Sequence, residues 1–258
     1  MLQKLTIKQN KVELGALVGL LLTDGSVNVS GGHKNIAFTN RSDILHQLFK
    51  EKMQRIFGVM KFQEWQDKRW NNVKTTFIRS SEIFEKLQKI VPSFRTKPSF
   101  DGSFTSAKIP NFIFNLKEQE ITEILKLMFS ADGCVCLGVT WSKADKMWQI
   151  RRLVKFACLH PTIKKQMGFL LKKLGINNKV KPDGIVIWKN KDIVKFKEKI
   201  GFVNGVKVTK NSKNWEGFEK NQILNLVIKS FKLRKGDLKK FKTKIEVVNF
   251  LKSLVESP

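Results

Sequence analysis

The chain makes one distinctive move twice. Residues 17–25 read LVGLLLTDG and residues 125–133 read LKLMFSADG. In each, an apolar stretch of helical character runs into a single aspartate, and a glycine follows. Asp24 and Asp132 hold the same place, 108 positions apart, and their surroundings repeat as well. A helix pattern, two strand patterns, a helix, two more strands and a short helix occur in that order from about residue 12 and again from about residue 116. The duplication constrains the fold more than any other feature. The chain must hold two copies of one unit, 1–94 and 116–258, joined by a Pro-, Gly- and Ser-containing linker over 95–115, with an extra helical tail on the second copy.

The local signals support this division. Asn10 is a plausible cap for the first helix, Glu13 lies in its first turn, and Gly25 suits a left-handed stop after it. SVNVS alternates as a half-buried strand does, GGHK is a turn, and NIAFTN returns. The next segment is an amphipathic helix capped by Ser42 or Asp43 and closed near Gly58. In the second copy, CVCLGVTW and MWQIRRLVKFACL read as strands, Pro161 opens an amphipathic helix, and Pro-Asp-Gly turns a hairpin.

The charge balance is extreme. Lys and Arg number 49 against 22 Asp and Glu, a net +27 on 258 residues, while 41% hydrophobic content supports a sizeable core. Such an excess self-repels in a compact state and calls for a polyanion, nucleic acid before an anionic membrane surface. The longest clean apolar run, ALVGLLL, is far short of a membrane span, and no segment reads as a signal peptide. We therefore expect an intracellular protein with access to genomic or organellar DNA, and no membrane partner. Cys134, Cys136 and Cys158 lack zinc-ligand spacing, and CVC reads as strand residues. No Ser/His/Asp arrangement or P-loop is present.

A single Asp-Gly after a helix reads as a turn. Two features favour more than a turn. The aspartate recurs, and it sits at the negative end of the helix dipole, where a carboxylate is disfavoured. If the two helices pack side by side, both carboxylates converge and repel. A hard divalent cation with oxygen ligands removes both penalties. Gly15 and Gly19, four apart on one helix face beside Ala16, would permit so close a packing.

LVGLLLTDG and LKLMFSADG resemble the two copies of the LAGLIDADG motif in single-chain homing endonucleases. KIPNFIFN ahead of the second copy and NWEGFEKNQIL near the tail resemble that family too. The resemblance implies an α+β fold: two pseudo-symmetric αββαββα halves packed through the motif helices, each with an antiparallel, saddle-shaped sheet on DNA. It implies that Asp24 and Asp132, helped by the carbonyls of Thr23 and Ala131, bind Mg2+ or Mn2+, with Ca2+ held in non-cleaving complexes. The implied reaction is hydrolysis of both DNA strands at a long site, leaving short 3′ overhangs, by a monomeric, intron- or intein-encoded enzyme. Further catalytic candidates are Asn40, Arg41, His160, Lys108 and Lys220, the two lysines being equally readable as solvated surface residues. The second motif departs from the family by carrying Lys126 and Leu127 where small residues are usual. Alternatives of the same fold are a maturase acting on intron RNA and a non-cleaving DNA-binding protein; the retained acids favour cleavage.

Strand parity extends the candidates to a DNA face. With Val27 and Val29 inward, Ser26, Asn28 and Ser30 face outward. Along the next hairpin the candidates are Lys61, Gln63, Lys68, Arg69, Asn72, Lys74 and Thr76. In the second copy Val135, Leu137 and Val139 point in, leaving Thr140, Ser142 and Lys143 outward. Gln149, Arg151 and Lys155 share a parity, as do Lys179 and Lys181. For any one lysine, phosphate contact or plain solvent competes with base contact. The tryptophans near the strands read as core or strand-rim residues.

Overall fold

The computed structural model describes residues 7–67, 73–209, 212 and 214–254. The first half runs α1 (Ile7–Thr23), β1 (Gly25–Ser30), β2 (His33–Asn40), α2 (Asp43–Phe57), β3 (Gln63–Asp67), β4 (Val73–Arg79) and α3 (Ser81–Ile90). A short helical turn, α4 (Asn111–Phe114), precedes the second half. That half runs α5 (Glu118–Asp132), β5 (Gly133–Ser142), β6 (Met147–Ala157), α6 (Pro161–Lys173), β7 (Lys179–Lys181), β8 (Gly184–Ile187) and α7 (Asn190–Lys199). Each half carries a four-stranded antiparallel sheet, ordered β1-β2-β4-β3 and β5-β6-β8-β7. The repeat order and the α+β class therefore stand as the sequence implies. No helix among the described residues is long and apolar enough to cross a membrane.

Polar caps set the helix starts. Ser42 accepts from the Leu45 amide, Ser80 from that of Ile83 and His160 from that of Ile163, each satisfying a first-turn N–H with no partner inside its helix. The amphipathic helices then bury one stripe against one face of each sheet, and the two halves share a continuous apolar core.

α1 and α5 pack directly on each other, and glycine makes the approach possible. A Cβ at Gly15 would lie 2.6 Å from Cδ1 of Ile124, and one at Gly19 would lie 2.9 Å from Cγ of Met128. The small residues lie on α1 and the large ones on α5. Leu127 is buried, while Lys126 turns to an ion pair with Glu123 at 3.0 Å. The glycines after the aspartates serve a purpose other than the expected left-handed stop. Gly25 and Gly133 are not among the residues with positive φ, and Gly133 is extended (φ −88°, ψ 151°). Each instead opens a strand so close to its helix that a Cβ would lie 2.4 Å from Cα of Leu21 or 2.3 Å from the carbonyl oxygen of Phe129.

The tail forms α8 (Lys220–Lys229) and α9 (Lys244–Ser253), both against β5, the edge strand of its sheet. The buried Trp215 donates its indole N–H to the Leu137 carbonyl of that edge at 2.8 Å. Arg152 donates to the hydroxyl and carbonyl of Ser230, both at 2.7 Å, and Trp148 donates to the Phe241 carbonyl at 3.1 Å. Such cover occupies backbone groups that would otherwise recruit another strand.

Candidate functional site

α1 and α5 lie side by side and each delivers its aspartate to one cleft of about 940 Å3. Asp24, Asn40, Arg41, Asp132, Cys134 and Lys220 are among the residues lining it. The two carboxyls sense each other: burial, and then the charge of Asp24, push Asp132 up to about 8. Burial raises Asp24 as well, opposed by a hydrogen bond from Asn40 and by the charges of Lys220 and Lys97.

The supports differ between the halves. Asn40 donates its amide to Oδ2 of Asp24 at 2.6 Å. Asn40 is itself fixed, since its side-chain oxygen accepts from the Ser42 amide at 2.8 Å and its carbonyl meets Nε2 of His46 at 3.0 Å. A carbonyl only accepts, so Nε2 carries a proton; burial holds His46 below its usual range, and Nδ1 of the neutral ring accepts from the Thr76 hydroxyl at 2.8 Å. No side chain among the described residues donates to the Asp132 carboxyl. The position corresponding to Asn40, two residues before the helix cap, holds Cys158, whose thiol points to the His160 carbonyl at 3.8 Å.

Lys220 reaches this centre from α8. Its ammonium donates to the carbonyls of Ser130 at 2.6 Å and Gly133 at 2.7 Å, bracketing Asp132, and burial pushes it down to about 8. Lys97, from the connecting segment, lowers the pKa of both aspartates by its charge. Nothing in the sequence pattern marks Lys97, because a lone lysine in an irregular linker carries no periodicity.

Other expected positions fall elsewhere. His160 is buried as the cap of α6, its Nε2 bonded to the Thr105 carbonyl at 3.0 Å, so it holds the fold and does not line the cleft. Lys108 is exposed and does not line the cleft. Thr23 closes α1, its hydroxyl donating to the carbonyls of Gly19 and Leu20, and Ala131 lines the cleft.

One face of each sheet carries no helix. On the first, Ser26, Asn28, Ser30 and Gln63 are outward, as expected, and Lys61 is exposed just before β3. Two assignments on β4 are corrected. Thr76 is fully buried under the sheet, and Lys74, of the same parity, turns inward to Glu64 at 3.1 Å and Asp43 at 3.3 Å. Val29 is 60% exposed instead of inward, because β1 runs past the core. Lys68, Arg69 and Asn72 lie outside the described residues. On the second sheet Thr140, Ser142, Gln149, Arg151 and Lys155 share the outward parity, joined by Lys179 and Lys181, with Lys143 exposed in the turn. Ser142 and Gln149 both bind the Asp145 carboxylate in the hairpin turn, at 2.9 and 2.6 Å. Lys155 pairs with Asp183.

Cys134 and Cys136 are strand residues of β5, as the alternation in CVC implies. Among the described residues, no group of three or more His, Cys, Asp or Glu could hold a metal. Any ion here therefore rests on the two aspartates and neighbouring carbonyl oxygens, a donor set for a hard divalent cation. The residues fit one: two half-buried carboxyls, each disfavoured as an anion alone, line the same cleft.

Two αββαββα halves, joined through paired helices that end in facing aspartates, define the fold of the LAGLIDADG homing endonucleases. Residues 11–92 match the family described as the LAGLIDADG-like domain. Among solved structures, the chain is similar to I-DmoI in complex with DNA and Mn, at 14% identity, 74% of this chain, 97% of that chain and a TM-score of 0.50. It is also similar to mesophilic variants of the homing endonuclease I-DmoI, at 14% identity, 79% and 96% coverage and a TM-score of 0.51. A DNA polymerase of Thermococcus hydrothermalis is 28% identical over 226 residues, 80% of this chain. The match spans only 12% of that polymerase's length.

Proposed function

We propose that the chain is a site-specific DNA endonuclease that hydrolyses one phosphodiester in each strand of a long duplex target, leaving short 3′ overhangs. The observation that carries this reading is the convergence of Asp24 and Asp132, one from each half, in a single cleft. The helix-free faces of two sheets in a chain of net charge +27 support it. One chain supplies both acids, so it acts as a monomer.

In this reading Asp24, Asp132 and the carbonyls of Thr23 and Ala131 hold Mg2+ or Mn2+. Such an ion acidifies water and neutralises charge on the phosphate and leaving oxygen. The chain's own residues do the rest. Asn40 fixes the orientation of the Asp24 carboxylate. Lys220 bridges the carbonyls on either side of Asp132 and holds the end of α5 in place. Lys97 and Arg41 bring positive charge to the cleft where the scissile phosphates enter.

The test is cleavage of a plasmid library carrying randomised sites, with Mg2+ or Mn2+, beside Asp24→Asn and Asp132→Asn. The expected result is cutting of both strands at a recoverable long site by the wild type, and loss of cutting with retained binding by each variant. Tight binding of RNA or DNA without cutting in either metal would refute the nuclease and leave a maturase or a non-cleaving binder.

A further inference from the structure

The two open sheet faces differ in chemistry, and the difference bears on what each half can read. On the four strands of the N-terminal sheet, the charged side chains of outward parity are the buried Asp67 and Arg79, whose guanidinium lies over the Phe77 ring at 5.9 Å. The lysines of these strands turn away from that face: Lys34 pairs with Glu85 at 2.6 Å, and Lys74 pairs beneath the sheet. The centre of the face is Ala37, Thr39, Val73, Thr75, Phe77 and, on β3, Trp65, which is 54% exposed. Thr39 and Thr75 stand opposite each other with their hydroxyls bonded at 2.9 Å, which uses one of their two O–H donors and leaves one O–H and two methyls to a partner.

On the C-terminal sheet the corresponding face presents Arg151, Lys179 and Lys181, with Lys155 paired to Asp183. Arg151 has no ion-pair partner among the described residues.

A charge-poor surface gains little from phosphate. In the major groove, the apolar group that a base pair displays is the C5 methyl of thymine, and Ala, Thr and Phe are the residues that meet it. The flanking polar side chains point to the same base pair. Asn28 and Gln63 are exposed and without intramolecular partners among the described residues, and a free carboxamide pairs with N6 and N7 of adenine. The Asn35 amide is spent on the carbonyls of His33 and Ser30, at 3.1 and 3.5 Å.

We propose that the N-terminal sheet reads A·T base pairs, by methyl contact with thymine and amide contact with adenine, while the C-terminal sheet anchors on phosphate and guanine. The target is then lopsided: an A·T-rich half-site under the first half of the chain, and a salt-sensitive half-site under the second. This rests on the DNA-endonuclease reading above.

The experiment is selection of bound duplexes from a randomised library by the full chain in Ca2+, followed by binding assays on the selected site. One end is expected to be A·T-rich. Replacing its thymines by deoxyuridine should weaken binding roughly fourfold per contacted methyl, the worth of one buried methyl group. The same replacement at the other end should change binding less than twofold. Thr75→Ser keeps the hydroxyl and drops the methyl; it should abolish the uracil penalty at one position and leave the salt dependence unchanged. Arg151→Ala should lower the slope of log affinity against log salt by about 1 if it holds a phosphate, or relax a guanine preference if it reads a base. A selected site with no uracil effect at either end would overturn the proposal and leave the endonuclease reading standing. Failure to enrich any duplex would remove both.

Discussion

Asp132→Asn is expected to make the ion-free protein more stable. Asp132 is a carboxyl whose folded pKa, about 8, lies above its ordinary 3.8. The folded state therefore holds a proton that the unfolded chain gives up. The stability linked to that proton is fully present below pH 4 and is lost as pH rises to about 8. A tenfold change in proton affinity is worth about 1.4 kcal/mol, so a carboxyl raised this far sets an upper bound on the order of 5 kcal/mol at pH 8. The carboxyl opens onto the water of the cleft, and screening brings this to roughly 1–3 kcal/mol. Asparagine has no charge to desolvate and removes the repulsion from Asp24. At pH 8 in EDTA its melting temperature should exceed that of the wild type by roughly 3–10 °C, given about 2–4 °C per kcal/mol at this size. The two proteins should converge towards pH 4, and Mg2+ should raise the wild-type value more than the variant's. A wild type indifferent to pH between 5 and 8 in EDTA, with a variant no more stable, would refute the assignment of strain to this pair.

Three further outcomes follow from the packing. Gly133→Ala forces a Cβ to 2.3 Å from the rigid Phe129 carbonyl oxygen, whereas Gly19→Ala meets the flexible Met128 at 2.9 Å. Urea denaturation should show a loss of about 3 kcal/mol or more for the first and about 1–2 kcal/mol for the second. Lys220→Met leaves the carbonyls of Ser130 and Gly133 without their donor and removes a charge beside Asp132. It should cost about 1–3 kcal/mol and depress single-turnover cleavage of DNA strongly. His160→Ala removes the cap of α6 at a cost of about 1–2 kcal/mol, and single-turnover cleavage at a temperature where the variant is folded should match the wild type.

The repeat, the element order and the aspartate pair are legible because each is written locally: a helical apolar run, a glycine, an alternating strand. The β4 face is not. In VKTTFIR the parity of Val73, Thr75 and Phe77 is the more apolar, and parity reasoning would turn it to the core; the structure turns Lys74, Thr76 and Ile78 inward instead. His46, a polar group beneath the sheet from α2, takes the Thr76 hydroxyl proton there, and no single strand's pattern reveals it. His160 misleads for a similar reason. It is the polar residue nearest the positions that match Asn40 and Arg41, but it occupies the cap position of Ser42, and its ring nitrogens are already taken, by the start of α6 and by a carbonyl 55 residues upstream. Gly25 reads as a glycine required by a left-handed stop, but at both Gly25 and Gly133 the cause is crowding against the preceding helical turn, a distance that composition does not record.

The division of labour between α1 and α5 has a consequence for how such a chain can be recombined. Gly15 and Gly19 are sockets, and Ile124 and Met128 are the pegs that enter them. Pairing the first half with a copy of itself would set socket against socket and leave a void along the seam; pairing two second halves would set peg against peg. The two helix faces are thus complementary and not interchangeable. A chimera that borrows one half from a relative must carry the matching face of the opposite helix with it.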